Sequence, residues 1–167
     1  MSSMVRQWSD WIETTALSHW FQSEEWVVPA SQSIHILALS IVFGSAVLIN
    51  LRLLGIGAAR GRSVLQLLDT LLPWTYRALL ILLLTGAVQT IAEPMRQFGT
   101  PVFWLKMLMI PVVLGLTTAF ARTVRRNPAR WGSPAAHPTG IKLYALVCLG
   151  LWVAIICCGR FIGYSHV

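Results

Sequence analysis

The stretch SIHILALSIVFGSAVLINLRLL, residues 33–54, decides the fold. It contains no acid, one histidine near its start and one arginine near its end. An α-helix needs about 20 apolar residues to cross a bilayer. Three further stretches of similar length and character follow, at residues 75–92, 102–121 and 141–162. The chain therefore reads as all-α, an integral membrane four-helix bundle forming a single domain over residues 1–167.

Composition agrees. The chain has 167 residues, of which 56% are hydrophobic and only 11% charged, and its mean hydropathy is +0.66. A soluble domain carries roughly 25% charged residues. The formal net charge of +7 raises the question of nucleic acid, and its distribution answers it. Arg52, Arg60, Arg62 and Arg77 belong to the first connection; Arg122, Arg125, Arg126, Arg130 and Lys142 belong to the third. The other side holds only Arg6 and Arg96, while Lys106 and Arg160 fall within spans. The positive-inside rule then places both basic connections in the cytoplasm and both termini outside, as expected of a multi-pass protein of a bacterial inner membrane. Anionic lipid explains these charges, and no nucleic-acid partner is expected. Asp10, Glu13, Glu24, Glu25 and Glu93 fall on the outer side. Residues 1–30 lack a basic start, an apolar core and a small-residue cleavage site, so no cleaved signal is expected.

Residues 6–27 read as an amphipathic helix lying on the outer surface of the membrane. Trp8, Trp11, Trp20 and Trp26 suit the headgroup zone, and Asp10, Glu13, Glu24 and Glu25 give it polar character. Pro29 is expected to end it, with Ser31 or Ser33 capping the first span. Residues 64–72 form an amphipathic lead-in that bends at Pro73, with Trp74 and Tyr76 as interface anchors. Thr100 followed by Pro101 signals the start of the third span, a capping hydroxyl before proline at the first helical position. Pro111 is expected to kink that helix.

Polar residues inside the spans mark the candidate site, because they are costly in lipid. His35, Gln89, Lys106 and Arg160 fall one per span, all toward the outer leaflet. Lys106 lies five residues past Pro101, about 7.5 Å into its helix. There it either snorkels to the headgroups or anchors a buried anion or polar head. Thr85, Gly86, Gln89 and Glu93 share one small, polar stripe. Glu93 has Arg96 or Lys106 as candidate partners. Cys157, Arg160 and Tyr164 share a face at three- and four-residue spacing. Gly159 and Gly163 allow a close helix approach, compatible with a homo-oligomer.

His35, His19 and His166 lie on the outer side and are candidate haem or metal ligands; His137, in the third connection, is not. Cys148, Cys157 and Cys158 point in different directions on one helix and cannot close a soft-metal site alone. No serine or cysteine has a base at recognisable spacing for nucleophilic catalysis.

The run Ile34-His35-Ile36-Leu37-Ala38-Leu39, then Gly44, then Leu51-Arg52-Leu53-Leu54-Gly55 resembles the opening of a bacterial inner-membrane family known only as a domain of unknown function. Phe103-Trp104-Leu105-Lys106 resembles that family's third-helix lysine motif, and Gly159-Arg160-Phe161-Ile162-Gly163-Tyr164 its closing motif. Asn50 and Ala38 stand where the family usually has Asp and often has Gly. The resemblance implies a four-helix bundle and singles out His35, Arg52, Lys106 and Arg160. The family is also loosely similar in architecture to b-type cytochrome and copper-resistance membrane proteins, in which histidines on facing helices hold haem.

Two functions from different classes follow as expectations. One is a redox module binding haem b or a quinone, and working with a redox partner protein. His35 would be a ligand, and Lys106 and Arg160, with Gln89 and Tyr164, would hold propionates or the quinone head. The other is an accessory membrane subunit whose polar residues form an internal ion-pair network. A small-solute transporter is a third expectation, for which four short spans leave little room.

Overall fold

The computed structural model describes residues 3–56, 62–131 and 138–164. His137, His166, Arg60, Gly57 and Gly61 lie outside the described residues. Among those described, every regular element is helical: α1 Ser3–Glu13, α2 Ala16–Ser23, α3 Val27–Leu54, α4 Val64–Ala92, α5 Pro94–Phe98, α6 Pro101–Arg126, α7 Pro128–Trp131 and α8 Thr139–Tyr164. Helices α3, α4, α6 and α8 are long and apolar enough to cross a membrane, with mean hydropathies of 1.6 to 2.3 over their most apolar windows. Only 11% to 28% of those windows is buried inside the protein. Most of their apolar surface therefore faces outward, which lipid and not water can cover.

The four long helices alternate in direction. His35, near the start of α3, meets Thr85, near the end of α4, and Tyr144, near the start of α8, meets Leu116 in the second half of α6. Helix α3 packs extensively on α4 and also on α8; α6 packs on α8 and touches α4 far less. One end of the bundle, the terminal end, carries the start of α3, the α4–α6 connection and the end of α8. The opposite end, the loop end, carries the α3–α4 and α6–α8 connections.

Local chemistry fixes the helix ends. Helix α3 stops at Gly55, whose φ of 74° suits a residue without a Cβ. Its N–H donates to the Arg52 carbonyl at 3.1 Å, and the Ile56 N–H to the Leu51 carbonyl at 3.0 Å. This pairing satisfies the carbonyls that the last turn leaves open. Helix α4 opens on a reciprocal cap between Ser63 and Gln66, with bonds of 3.0 and 3.1 Å.

Several boundaries differ from those expected from sequence. Residues 6–27 are not one helix. Thr15 adopts extended backbone and accepts from the Ser18 N–H at 3.3 Å, which ends α1 and starts α2. Pro29 does not terminate a helix; it sits in the first turn of α3, where its missing N–H loses no bond. Ser31 and Ser33 are accordingly inside α3, donating to the carbonyls of Val28 and Pro29. The lead-in expected at residues 64–72 is part of α4, which is continuous through Pro73. Pro101 does open α6, but the Thr100 hydroxyl donates to the Gln97 carbonyl rather than capping α6.

Two apolar clusters fill the interior. The one at the loop end is built on Ile49, Leu53, Val64, Leu68, Val124 and Ala145, with Phe120 and Tyr144 stacked beside it at 5.1 Å between ring centroids. The mid-bundle cluster joins Ala38, Val42, Ala78, Val113, Trp152 and Ile155, one or two from each long helix. Toward the terminal end this apolar filling gives way to polar side chains.

Candidate functional site

His35 is half-buried, and its Nδ1 lies 2.7 Å from Thr85 Oγ1. Thr85 has one hydroxyl proton. That proton goes to the Ile81 carbonyl one turn earlier on α4, at 2.7 Å. Thr85 is left with lone pairs for the histidine, so Nδ1 carries the hydrogen and donates it. In the neutral ring Nε2 is then bare, an acceptor or ligand atom whose direction the Thr85 bond fixes. The ring edge rests on Gly86: a Cβ there would lie 3.7 Å from His35 Cε1.

Lys106 comes from α6. Its aliphatic stem and Nζ turn toward α8, where a Cβ on Gly159 would stand 3.4 Å from Nζ. Gly159 thus leaves room for the lysine beside α8. Gly163 has nothing within 4 Å of its own Cβ position. Lys106 lies close enough to both His35 and Cys158 to interact with them electrostatically. Among the described residues it has no carboxylate partner. Glu93 pairs instead with Arg96, three residues on, where both side chains are about one-third exposed. Gln89 stands one turn beyond Thr85 on the same stripe of α4. Its Nε2 is buried and has no hydrogen-bond partner.

The structure therefore brings His35, Lys106 and the Thr85–Gly86–Gln89 stripe to the terminal end from three helices. It does not bring Arg160 and Tyr164 with them. Both are exposed and engage each other: Arg160 Nη2 donates to Tyr164 Oη at 2.8 Å, and the guanidinium lies 4.9 Å from the ring centroid. With Gly159 turned toward Lys106, the next residue points about 100° away around the helix. His19 is exposed on α2, and Cys157 is exposed while Cys148 is buried. Among the described residues, no group of three or more His, Cys, Asp or Glu side chains is placed to hold a metal ion.

Arg52 is 3% exposed and works at the other end of the molecule. Its Nε donates to the Arg62 carbonyl at 2.7 Å, tying the end of α3 to the segment that leads into α4.

Sequence reasoning missed the docking of α2. Ser18, fully buried, donates to the Ile91 carbonyl at 2.8 Å, and Gln22 Nε2 donates to the Ala92 carbonyl at 2.9 Å. Two open carbonyls at the end of α4 are thereby satisfied by another helix. This places α2 over the α4 end of the polar cluster. Ser18 and Gln22 at four-residue spacing on one face were the available signal.

No curated protein and no solved structure matches the chain. A family model does, over residues 8–165, nearly the full length. With that match the chain belongs to a family of unknown function (DUF6644).

Proposed function

We propose that this protein is a non-catalytic membrane redox module whose polar cluster at the terminal end takes the head group of a quinone or quinol. The observation that carries the reading is the fixed His35 ring. Its Nδ1–H is committed to Thr85 and its Nε2 is left bare, at the same end of the bundle as Lys106, which has no carboxylate partner among the described residues, and Gln89 Nε2, which is buried without a hydrogen-bond partner. A quinol hydroxyl donates to such a nitrogen, and a quinone carbonyl accepts from such donors. The apolar outer surface of the bundle suits a ligand that reaches its site from lipid.

Haem b is the related alternative. A histidine with its other ring nitrogen anchored is suited to ligate iron. His35 is the one histidine on a membrane-length helix among the described residues, and His19 is exposed, so a second axial histidine is not provided there. Quinone chemistry fits this cluster better than six-coordinate haem. An internal ion-pair network, the accessory-subunit reading, finds less support: among the described residues Lys106 lacks a carboxylate, and Glu93–Arg96 is a local pair.

In this reading the polar cluster lies on the outer side of a bacterial inner membrane, with both termini periplasmic. The basic residues of the two loop-end connections support that orientation. The exposed tryptophans of α1 and α2, Trp8, Trp11 and Trp20, suit a position at the headgroups.

The test is purification into nanodiscs from haem-replete cells, followed by an absorption spectrum and titration with a short-chain ubiquinone analogue. Saturable quinone binding that His35→Ala abolishes supports the reading. A Soret band lost in the same variant moves the assignment to haem b. A colourless protein with no saturable quinone binding ends both.

A further inference from the structure

The loop half of the bundle contains a second polar site, about 22 Å from His35 along α3 at 1.5 Å per residue. Asn50 is 6% exposed, and its Nδ2 donates to the Ala46 carbonyl at 2.8 Å. A carbonyl can only accept, so the nitrogen of the amide must face Ala46 and Oδ1 must point away from that turn. Oδ1 is buried and has no hydrogen-bond partner. Asn50 lines a cavity of about 30 Å³ between the helices. An unpaired buried amide oxygen is costly, so a partner in that space is strongly favoured.

The rest of the wall shows what the partner must be. Its other polar groups are the indole N–H of Trp152, a donor only, and the hydroxyls of Thr75, Thr117 and Tyr144. Each hydroxyl has already given its proton to a backbone carbonyl: Thr75 to Leu71 at 3.0 Å, Thr117 to Val113 at 2.8 Å and Tyr144 to Leu116 at 3.0 Å. These hydroxyls and Oδ1 offer the cavity lone pairs and Trp152 is a donor only, so an occupant that donates and can also accept, as water does, suits this wall. No carboxylate lines the space, so a cation placed there would keep its full desolvation cost. The volume exceeds the roughly 10–15 Å³ that one water requires.

We propose that this cavity is a water-binding site. One water proton goes to Asn50 Oδ1 and the other to a hydroxyl oxygen of Thr75, Thr117 or Tyr144, joining α3 to α4, α6 or α8. The buried side chains of Ala38 and Val42 separate it from His35 along α3. It is independent of the head-group pocket and does not rest on that reading.

Pulsed hydroxyl-radical labelling of the full chain in nanodiscs tests it, because bound water is a local source of radicals. Tyr144 is expected to be oxidised in the wild type and several-fold less in Asn50→Leu, which fills the space with an apolar side chain. Xenon nuclear magnetic resonance on the wild type gives a second readout that needs no variant, since dry cavities take up xenon and hydrated ones do not. Xenon uptake without Tyr144 oxidation shows a dry cavity and overturns the proposal. A melting temperature that rises when sodium replaces N-methylglucamine, and does so only while Asn50 is present, identifies a cation site and also overturns it.

Discussion

At the loop end of the bundle the side chains of Arg52, Asp69 and Arg125 are committed to protein partners, whereas the buried Asn50 Oδ1 is not. Arg52 holds the Arg62 carbonyl, Arg125 reaches Asp69 at 3.0 Å, and apolar residues such as Leu53, Leu68, Val64 and Val124, each 0% exposed, fill the space between. At the terminal end the pattern reverses. Among the described residues Lys106 has no carboxylate partner, Gln89 Nε2 has no acceptor, and His35 uses one ring nitrogen and leaves the other bare. The loop end leaves one buried amide oxygen open for a small occupant; the terminal end leaves polar groups from three helices, α3, α4 and α6, unused. Groups that a fold leaves unsatisfied at a cost in stability mark where function lies.

The largest expected effect is on stability at the loop end. Leu68→Ala removes a fully buried side chain from α4 and should destabilise the bundle by about 2–5 kcal/mol. Reversible unfolding in mixed micelles measures it. The same assay on Lys106→Met should show little loss, because no ion pair is broken. A Lys106→Met variant as unstable as Leu68→Ala would mean that the lysine is structural and that the two ends do not differ.

Binding should respond the other way round. Lys106→Met is expected to weaken quinone-analogue binding by about 10- to 100-fold, the value of a hydrogen bond from a charged or strongly polar donor. Leu68→Ala, measured where it remains folded, should bind normally. Thr85→Val is the more discriminating change. It keeps the shape of the side chain but frees the His35 ring and its tautomer, and should lower affinity about 10-fold with a stability loss of only about 1 kcal/mol. Unchanged binding in Thr85→Val would remove the argument that the Nδ1 bond directs Nε2.

The smallest effect belongs to Arg125→Ala. The Asp69–Arg125 pair is more than half exposed, at 55% and 54%. A pair that solvent screens in this way contributes about 0–1 kcal/mol, so unfolding should shift barely and quinone binding not at all.

How much of this could be read from the chain differs between the two ends for a physical reason. The four spans follow from hydropathy, which needs no tertiary information, and a helix covers each of them, running a few residues beyond it in α3, α6 and α8 and starting at Val64 in α4. The stripe Thr85–Gly86–Gln89 was legible because helical spacing puts those residues on one face. Which face Arg160 occupies was not legible: only the seating of Gly159 against Lys106 rotates α8 so that Arg160 and Tyr164 turn outward. The break at Thr15 was hidden because tryptophan periodicity runs through it, and the local bond to the Ser18 N–H decides the matter. Pro29 misled because proline breaks a helix in its interior but is welcome in its first turn. The His35–Thr85 bond joins residues 50 positions apart and depends on the packing of α3 on α4.

The central claim is that the terminal end holds an unmet binding capacity centred on the bare Nε2 of His35 and on Lys106. Equilibrium titration of the nanodisc protein with a short-chain ubiquinone analogue, wild type beside His35→Ala and Lys106→Met, tests it most directly. The expected result is saturable one-to-one binding by the wild type, lost in His35→Ala and weakened in Lys106→Met while both variants remain folded. Binding that is absent in the wild type, or equal in all three proteins, would contradict the account.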